Sequence, residues 1–264
     1  MTVYTISFLR KCRASSPTIA ITDRLVGDGI TQRLDWGSSA DVYNAKHAAL
    51  FQINKSLFDS VLTAAARNDT ANLEKALFFL ALTVAHEMVH VYFGFLTADE
   101  GRITPALTNY PPGLTVGQMN GESGRYWESQ FIGAITKAYH QPSDPLGLAQ
   151  AGTLYLCERD DRGFELSQAW VKACLAGNFV KPTVANKGLK SNSGKPFAIT
   201  KTMQTMEKAR PRSQNCGVEA DNPYILVGQI NRLAPTRVDR VNLQSIMSMV
   251  ANPRKLMAVD RPAS

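Results

Sequence analysis

The sequence predicts an α+β protein, helix-rich with a small amino-terminal sheet, and three observations predict it. Residues 70–96 form an apolar run without proline. In it Leu73, Leu77, Leu80, Val84, Met88 and Val91 recur at steps of three and four, the period of a buried helix. Short β-prone stretches separated by turn residues lie ahead of it, and a hairpin pattern followed by another helix lies beyond it. The 264 residues, 44% apolar and 19% charged, suit a soluble globular fold with a core of full size.

In chain order, Val3–Leu9 and Thr18–Ile21 read as strands, with Gly27-Asp28-Gly29 as a turn. Ala48–Asn54 reads as a strand running into a helix over Lys55–Ala66, whose apolar side carries Leu57, Phe58, Val61 and Leu62. Asn68-Asp69-Thr70 offers a turn and an N-cap for the long helix. After a proline-containing loop, Asn120–Ala134 reads as a second helix, stopped by Pro142-Ser143-Asp144-Pro145. Thr153–Glu158 and Phe164–Leu166 flank Asp160-Asp161-Arg162-Gly163 as a hairpin, and Ser167 caps a helix reaching Leu175. Lys181–Lys195 has linker composition, while Tyr224–Leu233 and Val241–Val250 look helical. Residues 1–180 are expected to hold the site, and residues 181–264 to form a basic extension packed on the same domain.

The chemistry concentrates in His86-Glu87-Met88-Val89-His90, an H-E-x-x-H pattern inside the long helix. Residues four apart share a helix face, so His86 and His90 can aim both imidazoles at one metal ion. Glu87 projects from nearly the same face, placed to take a proton from a water rather than to bind the metal. Zn²⁺ suits two imidazoles and a carboxylate because a fourth position stays open for water, whose pKa it lowers to about 7. The plainer reading is a pair of hydrogen-bonded core histidines with a salt-bridged glutamate. The motif resembles that of the zincin metallopeptidases. That resemblance implies a zincin-like core in which one sheet edge lines the cleft and pairs with an extended peptide. Which strand does this is not legible.

The metzincin extension needs glycine and histidine where this chain has Phe93 and Leu96, so that class is excluded. The stretch from Asn120 to Ala134 looks like the second helix of gluzincins, in which a glutamate is followed by small residues. On that resemblance Glu122 is the third ligand, with Ser123 and Gly124 permitting close helix approach. Glu128 is the alternative, either as ligand or as an acid orienting a histidine. His140 would serve an all-histidine site, whereas Asp99 and Glu100 read as solvated turn acids and His47 as a surface histidine. Tyr126 and Tyr110 are candidate hydrogen-bond donors to a developing oxyanion.

The four cysteines, Cys12, Cys157, Cys174 and Cys216, are scattered and show no C-x-x-C pairing, so free thiols are expected rather than a cysteine zinc site. The amino terminus lacks a secretory-signal pattern, which leaves an intracellular protein or a chain that begins after a removed signal. No membrane span, repeat or P-loop is read. Net charge is +9 over residues 181–264 and −2 over residues 1–180. The expected function is a zinc-dependent metallopeptidase acting on a protein or peptide. The alternative is a non-catalytic zincin-scaffold protein binding nucleic acid or another macromolecule through the basic region. A third option, a peptidase tethered near DNA, has only His140 for the histidine that such enzymes use as third ligand.

Overall fold

A computed structural model describes residues 3–22, 25, 27–37, 39–98, 122–159, 162–179, 197–198 and 204–209. Asp99, Glu100, Tyr110, the linker at Lys181–Lys195, Cys216 and the helices expected at Tyr224–Leu233 and Val241–Val250 lie outside the described residues. The architecture is α+β: two small sheets flank a long central helix.

The first sheet has the order β1-β3-β2 (Thr18–Thr22, Ala49–Asn54, Gly29–Arg33). β3 is its buried centre, with Phe51 and Ile53 almost wholly enclosed, and β1 runs parallel to it. β2 runs antiparallel at the edge, in the register Gly29↔Ile53 and Thr31↔Phe51. Asn54 anchors the turn into β2: its Nδ2 donates to Leu25 O and Gly27 O, and its backbone N–H donates to Asp28 O. Gly27 adopts φ 121°, a left-handed value that favours glycine.

Val3–Leu9 is not a strand. It belongs to helix α1 (Val3–Ala14). Val3, Thr5 and Ser7 alternate with larger residues and imitate a two-residue period, but only Phe8 is buried in this helix. Phe8 packs among Tyr43, Tyr92 and Phe95, and that tertiary contact outweighs the β-branched propensity of the first residues.

A short helix, α2 (Ala45–Ala48), leads into β3. Helix α3 (Lys55–Ala66) starts on the cap of Asn54 and buries Leu57, Phe58 and Val61, while Leu62 is exposed. Asn68 turns left-handed at φ 55° and Asp69 caps α4 (Thr70–Thr97), its carboxylate accepting from Asn72 N–H. Among the described residues α4 is the one helix long and apolar enough to cross a membrane, with mean hydropathy 1.5. In the fold it packs against α3, β2, α5 and α6 (Ser123–Phe131 for α5, Gln168–Leu175 for α6).

The second helix is shorter than expected. It ends at Phe131, and Gly133 at φ 107° turns the chain into a strand, β4 (Ile135–Tyr139). β4 opens an antiparallel sheet, β4-β5-β6-β7, with β5 at Thr153–Arg159, β6 at Arg162–Glu165 and β7 at Phe197–Ala198. β5 and β6 are the expected hairpin, and Ser167 caps α6 by accepting from Trp170 N–H. Helix α7 (Met206–Ala209) adds Met206 to the core formed by α3, α4 and this sheet. Cys12, Cys157 and Cys174 are free thiols. Burial pushes Cys12 and Cys174 up to about 11, so both are poor nucleophiles near neutral pH.

Candidate metal centre

One helical turn separates His86 from His90, and both rings leave α4 toward α5, with centroids 5.3 Å apart. The chain returns from the far end of α4 to begin α5 directly opposite. Glu122 is the N-cap of α5 rather than a residue within it. Its Oε2 accepts from Arg125 N–H, as a capping acid should. That bond orients the other oxygen, so that Oε1 lies 3.2 Å from His86 Nε2 and 2.5 Å from His90 Nε2. One carboxylate therefore starts a helix and completes a cluster.

The ligand atoms of His86, His90 and Glu122 all lie within 4.8 Å of one another, so the three can hold a metal ion. Two imidazole nitrogens and a carboxylate oxygen make the donor set that zinc accepts. Electrostatics agree with the geometry. Burial alone would lower the pKa of His86, but hydrogen bonds to Glu122 and Glu128 outweigh it and lift it to about 10. Burial pushes Glu122 up, yet its bonds to the two histidines win and hold it well below the usual carboxylate range. The carboxylates that hold a proton on His86 would also attract a cation, which must displace that proton to bind.

Both rings are oriented from behind. His86 Nδ1 lies 2.7 Å from Oε1 of Glu128, whose Oε2 accepts from Thr136 N–H at 3.0 Å. Ser123 Oγ lies 3.0 Å from His90 Nδ1. With each Nδ1 engaged, each Nε2 faces the cluster. Glu128 is 5% exposed and sits behind His86, so of the two candidate acids it is Glu122 that joins the cluster. Gly124 is needed for the approach, because a Cβ there would stand 2.3 Å from His86 Nε2, far inside van der Waals contact.

Glu87 lies beside the cluster and is only 4% exposed. Burial raises its carboxyl above the ordinary value, against the opposing pull of His86 and of the Thr31 hydroxyl. The histidines, Glu87 and Glu122 open together on a cleft of about 600 Å³, whose other lining includes Gly29, Thr31 and Thr136. Arg33, Arg125 and Lys137 also border it.

Other candidates fall elsewhere. His140 donates its backbone N–H to Gln204 O and is not in the cluster. His47 is exposed on α2, and Tyr126 is exposed on α5, outside the cleft lining. Sequence reasoning missed Gly29, Thr31 and Thr136. Residues 29–33 do alternate, but Ile30 points outward at 49% exposure and the inward positions are glycine, threonine and arginine.

Comparison with protein-family models, with curated proteins and with solved structures finds no match. The chemistry of the site rests on its own geometry.

Proposed function

We propose that the protein is a zinc-dependent metallopeptidase of gluzincin type, built on a zincin-like core. The observation that carries this reading is the convergence of His86, His90 and Glu122 with the carboxylate of Glu87 beside them in one cleft. A purely structural metal site has no use for an acid poised next to its ligands. When bound, zinc supplies a Lewis acid for the scissile carbonyl and a water nucleophile at neutral pH.

The chain's own residues do the rest. Glu87 accepts a proton from the attacking water at its carboxylate and returns it to the leaving amine. Its raised pKa suits both duties, because a carboxyl nearer neutrality is a stronger base and a usable acid. Glu128 and Ser123 hold the imidazoles in the tautomer that directs Nε2 forward. β2, an edge strand among the described residues and bordering the cleft, suits pairing with an extended peptide.

Metal analysis of protein purified without added zinc tests the reading first. Wild type and Glu128→Ala should carry about one zinc per chain, with the latter bound more weakly, and Glu122→Ala should carry little. Wild type should then cleave members of a peptide library and Glu87→Gln should not. Zinc that fails to bind even on reconstitution removes the peptidase reading.

A further inference from the structure

The metal cluster is built entirely from α4 and α5, yet the group that would handle the proton is held from the sheet. Gly29 and Thr31 are two apart on β2, so they share one face of the strand, and that face meets α4. The Thr31 hydroxyl lies 2.7 Å from Glu87 Oε2 and 3.0 Å from Glu87 backbone O, its single proton serving both. At Gly29 a Cβ would stand 2.9 Å from Glu87 Oε1 and 2.9 Å from Thr83 Cγ2. The two carboxylate oxygens are therefore treated differently. One is tied to a hydroxyl, and the other occupies space that only a glycine leaves free.

A glutamate has three side-chain torsions, and a general base works only when its lone pair is aimed at the proton it takes. The neighbours of Glu87 one turn away on α4 are Thr83, Val84, His90 and Val91, and the hydrogen bond to its carboxylate comes instead from Thr31 on β2. The aiming surface on β2 is anchored firmly. Gly29 pairs with Ile53 and Thr31 with Phe51, residues that are 0% and 1% exposed in the centre of the sheet.

We infer that Gly29 and Thr31 form a seat on β2 that fixes the carboxylate of Glu87 in the cleft, Thr31 by its hydrogen bond and Gly29 by the room it leaves. Both are positioning residues that act through Glu87. The inference rests on the peptidase reading for its catalytic consequence, but the seat itself is a structural coupling that exists without turnover. It also makes the edge strand a participant in proton transfer rather than only a rail for substrate.

Steady-state kinetics of the full-length, zinc-loaded protein test it with Thr31→Val, Thr31→Ser and Gly29→Ala. A misaimed base should lower kcat of Thr31→Val about 10- to 100-fold while KM stays within about twofold and zinc content is unchanged. Thr31→Ser, which keeps the hydroxyl, should restore most of that loss, and Gly29→Ala should lower kcat like Thr31→Val. Undiminished kcat in Thr31→Val overturns the inference. A second measurement does not need activity: Tm values of wild type, Thr31→Val, Glu87→Met and the double variant. The Tm loss from Thr31→Val should shrink when residue 87 carries no side-chain acceptor, its backbone O being kept in both backgrounds. Additive losses overturn the seat even if no peptide is cleaved, whereas inactivity with non-additive losses removes the peptidase reading and leaves the seat standing.

Discussion

The two walls of the cleft are made in different ways. On one side α4 and α5 present His86, His90 and Glu122 from consecutive helices, with Glu128 and Ser123 behind them. On the other side β2 presents Gly29 and Thr31, and β4 sends a single backbone N–H, that of Thr136, to Glu128. The helical wall is assembled by short-range rules: a 3.6-residue turn, a cap, and a pair of small residues that let two helices meet. The sheet wall exists through strand pairing, β2 with β3 and β4 with β5. The helical wall defines what can bind, and the sheet wall defines how a neighbouring carboxylate is aimed.

That division predicts where variants act. The largest effects belong to the helical wall. His86→Ala, His90→Ala or Glu122→Ala should each abolish stoichiometric zinc and lower activity by more than about 10³-fold, read by elemental analysis and peptide cleavage. Glu122→Ala should also cost about 1 kcal/mol of stability through the lost helix cap, so its unfolding midpoint should fall even in chelator. Retention of zinc in Glu122→Ala would shift the ligand role to another residue. Glu87→Gln comes next. It should keep zinc and lose about 10²- to 10⁴-fold in kcat, the size of a general-base contribution.

The same division explains what could be read from the sequence. His86, Glu87 and His90 were legible because one helix supplies all three at fixed spacing. Glu122 was legible through the resemblance of its segment to the second gluzincin helix, whose small residues permit close approach, as Gly124 does against the His86 ring. The hairpin β5–β6 and the caps Asp69 and Ser167 were legible because turn and cap chemistry is local. Thr31 was hidden because its strand turns polar residues inward, toward a cleft instead of a core, and so inverts the pattern that marks a half-buried strand. Val3–Leu9 misled for the opposite reason: it alternates, but one buried aromatic fixes it as a helix. β4 was absorbed into the preceding helix because a single glycine, Gly133, marks the change of direction.

Intermediate effects separate the two walls further. Glu128→Ala should weaken zinc about 10- to 100-fold, since His86 loses the partner that orients its ring. Gly124→Ala should weaken it as well, by forcing α5 away from α4, whereas Thr31→Val should leave zinc affinity unchanged. A titration with a competing chelator distinguishes these outcomes. If Thr31→Val also weakens zinc, the walls are not independent.

The smallest effect is a pH dependence of stability in chelator-treated protein. The folded-state pKa of His86 is lifted to about 10 from an ordinary 6.5, so its protonation stabilises the fold fully below about 6.5 and that contribution fades as pH rises toward 10. Glu122 is held below its ordinary 4.5, so its contribution is present above that value and fades as pH falls. Together they place the best stability of the chelated protein on the acid side of neutrality, with Tm drifting down by a few degrees from about pH 7 to pH 10. Added zinc should oppose this trend, because it needs the neutral imidazole and binds more tightly as protons leave. The gap in Tm between loaded and chelated protein should therefore widen with pH. Glu128→Ala removes one of the carboxylates that raise His86 and should flatten the drift in chelator. Thr31→Val touches Glu87 and neither histidine, and should leave the drift as it is. A drift that Thr31→Val alters as much as Glu128→Ala does would mean that β2 reaches the metal ligands as well as the base.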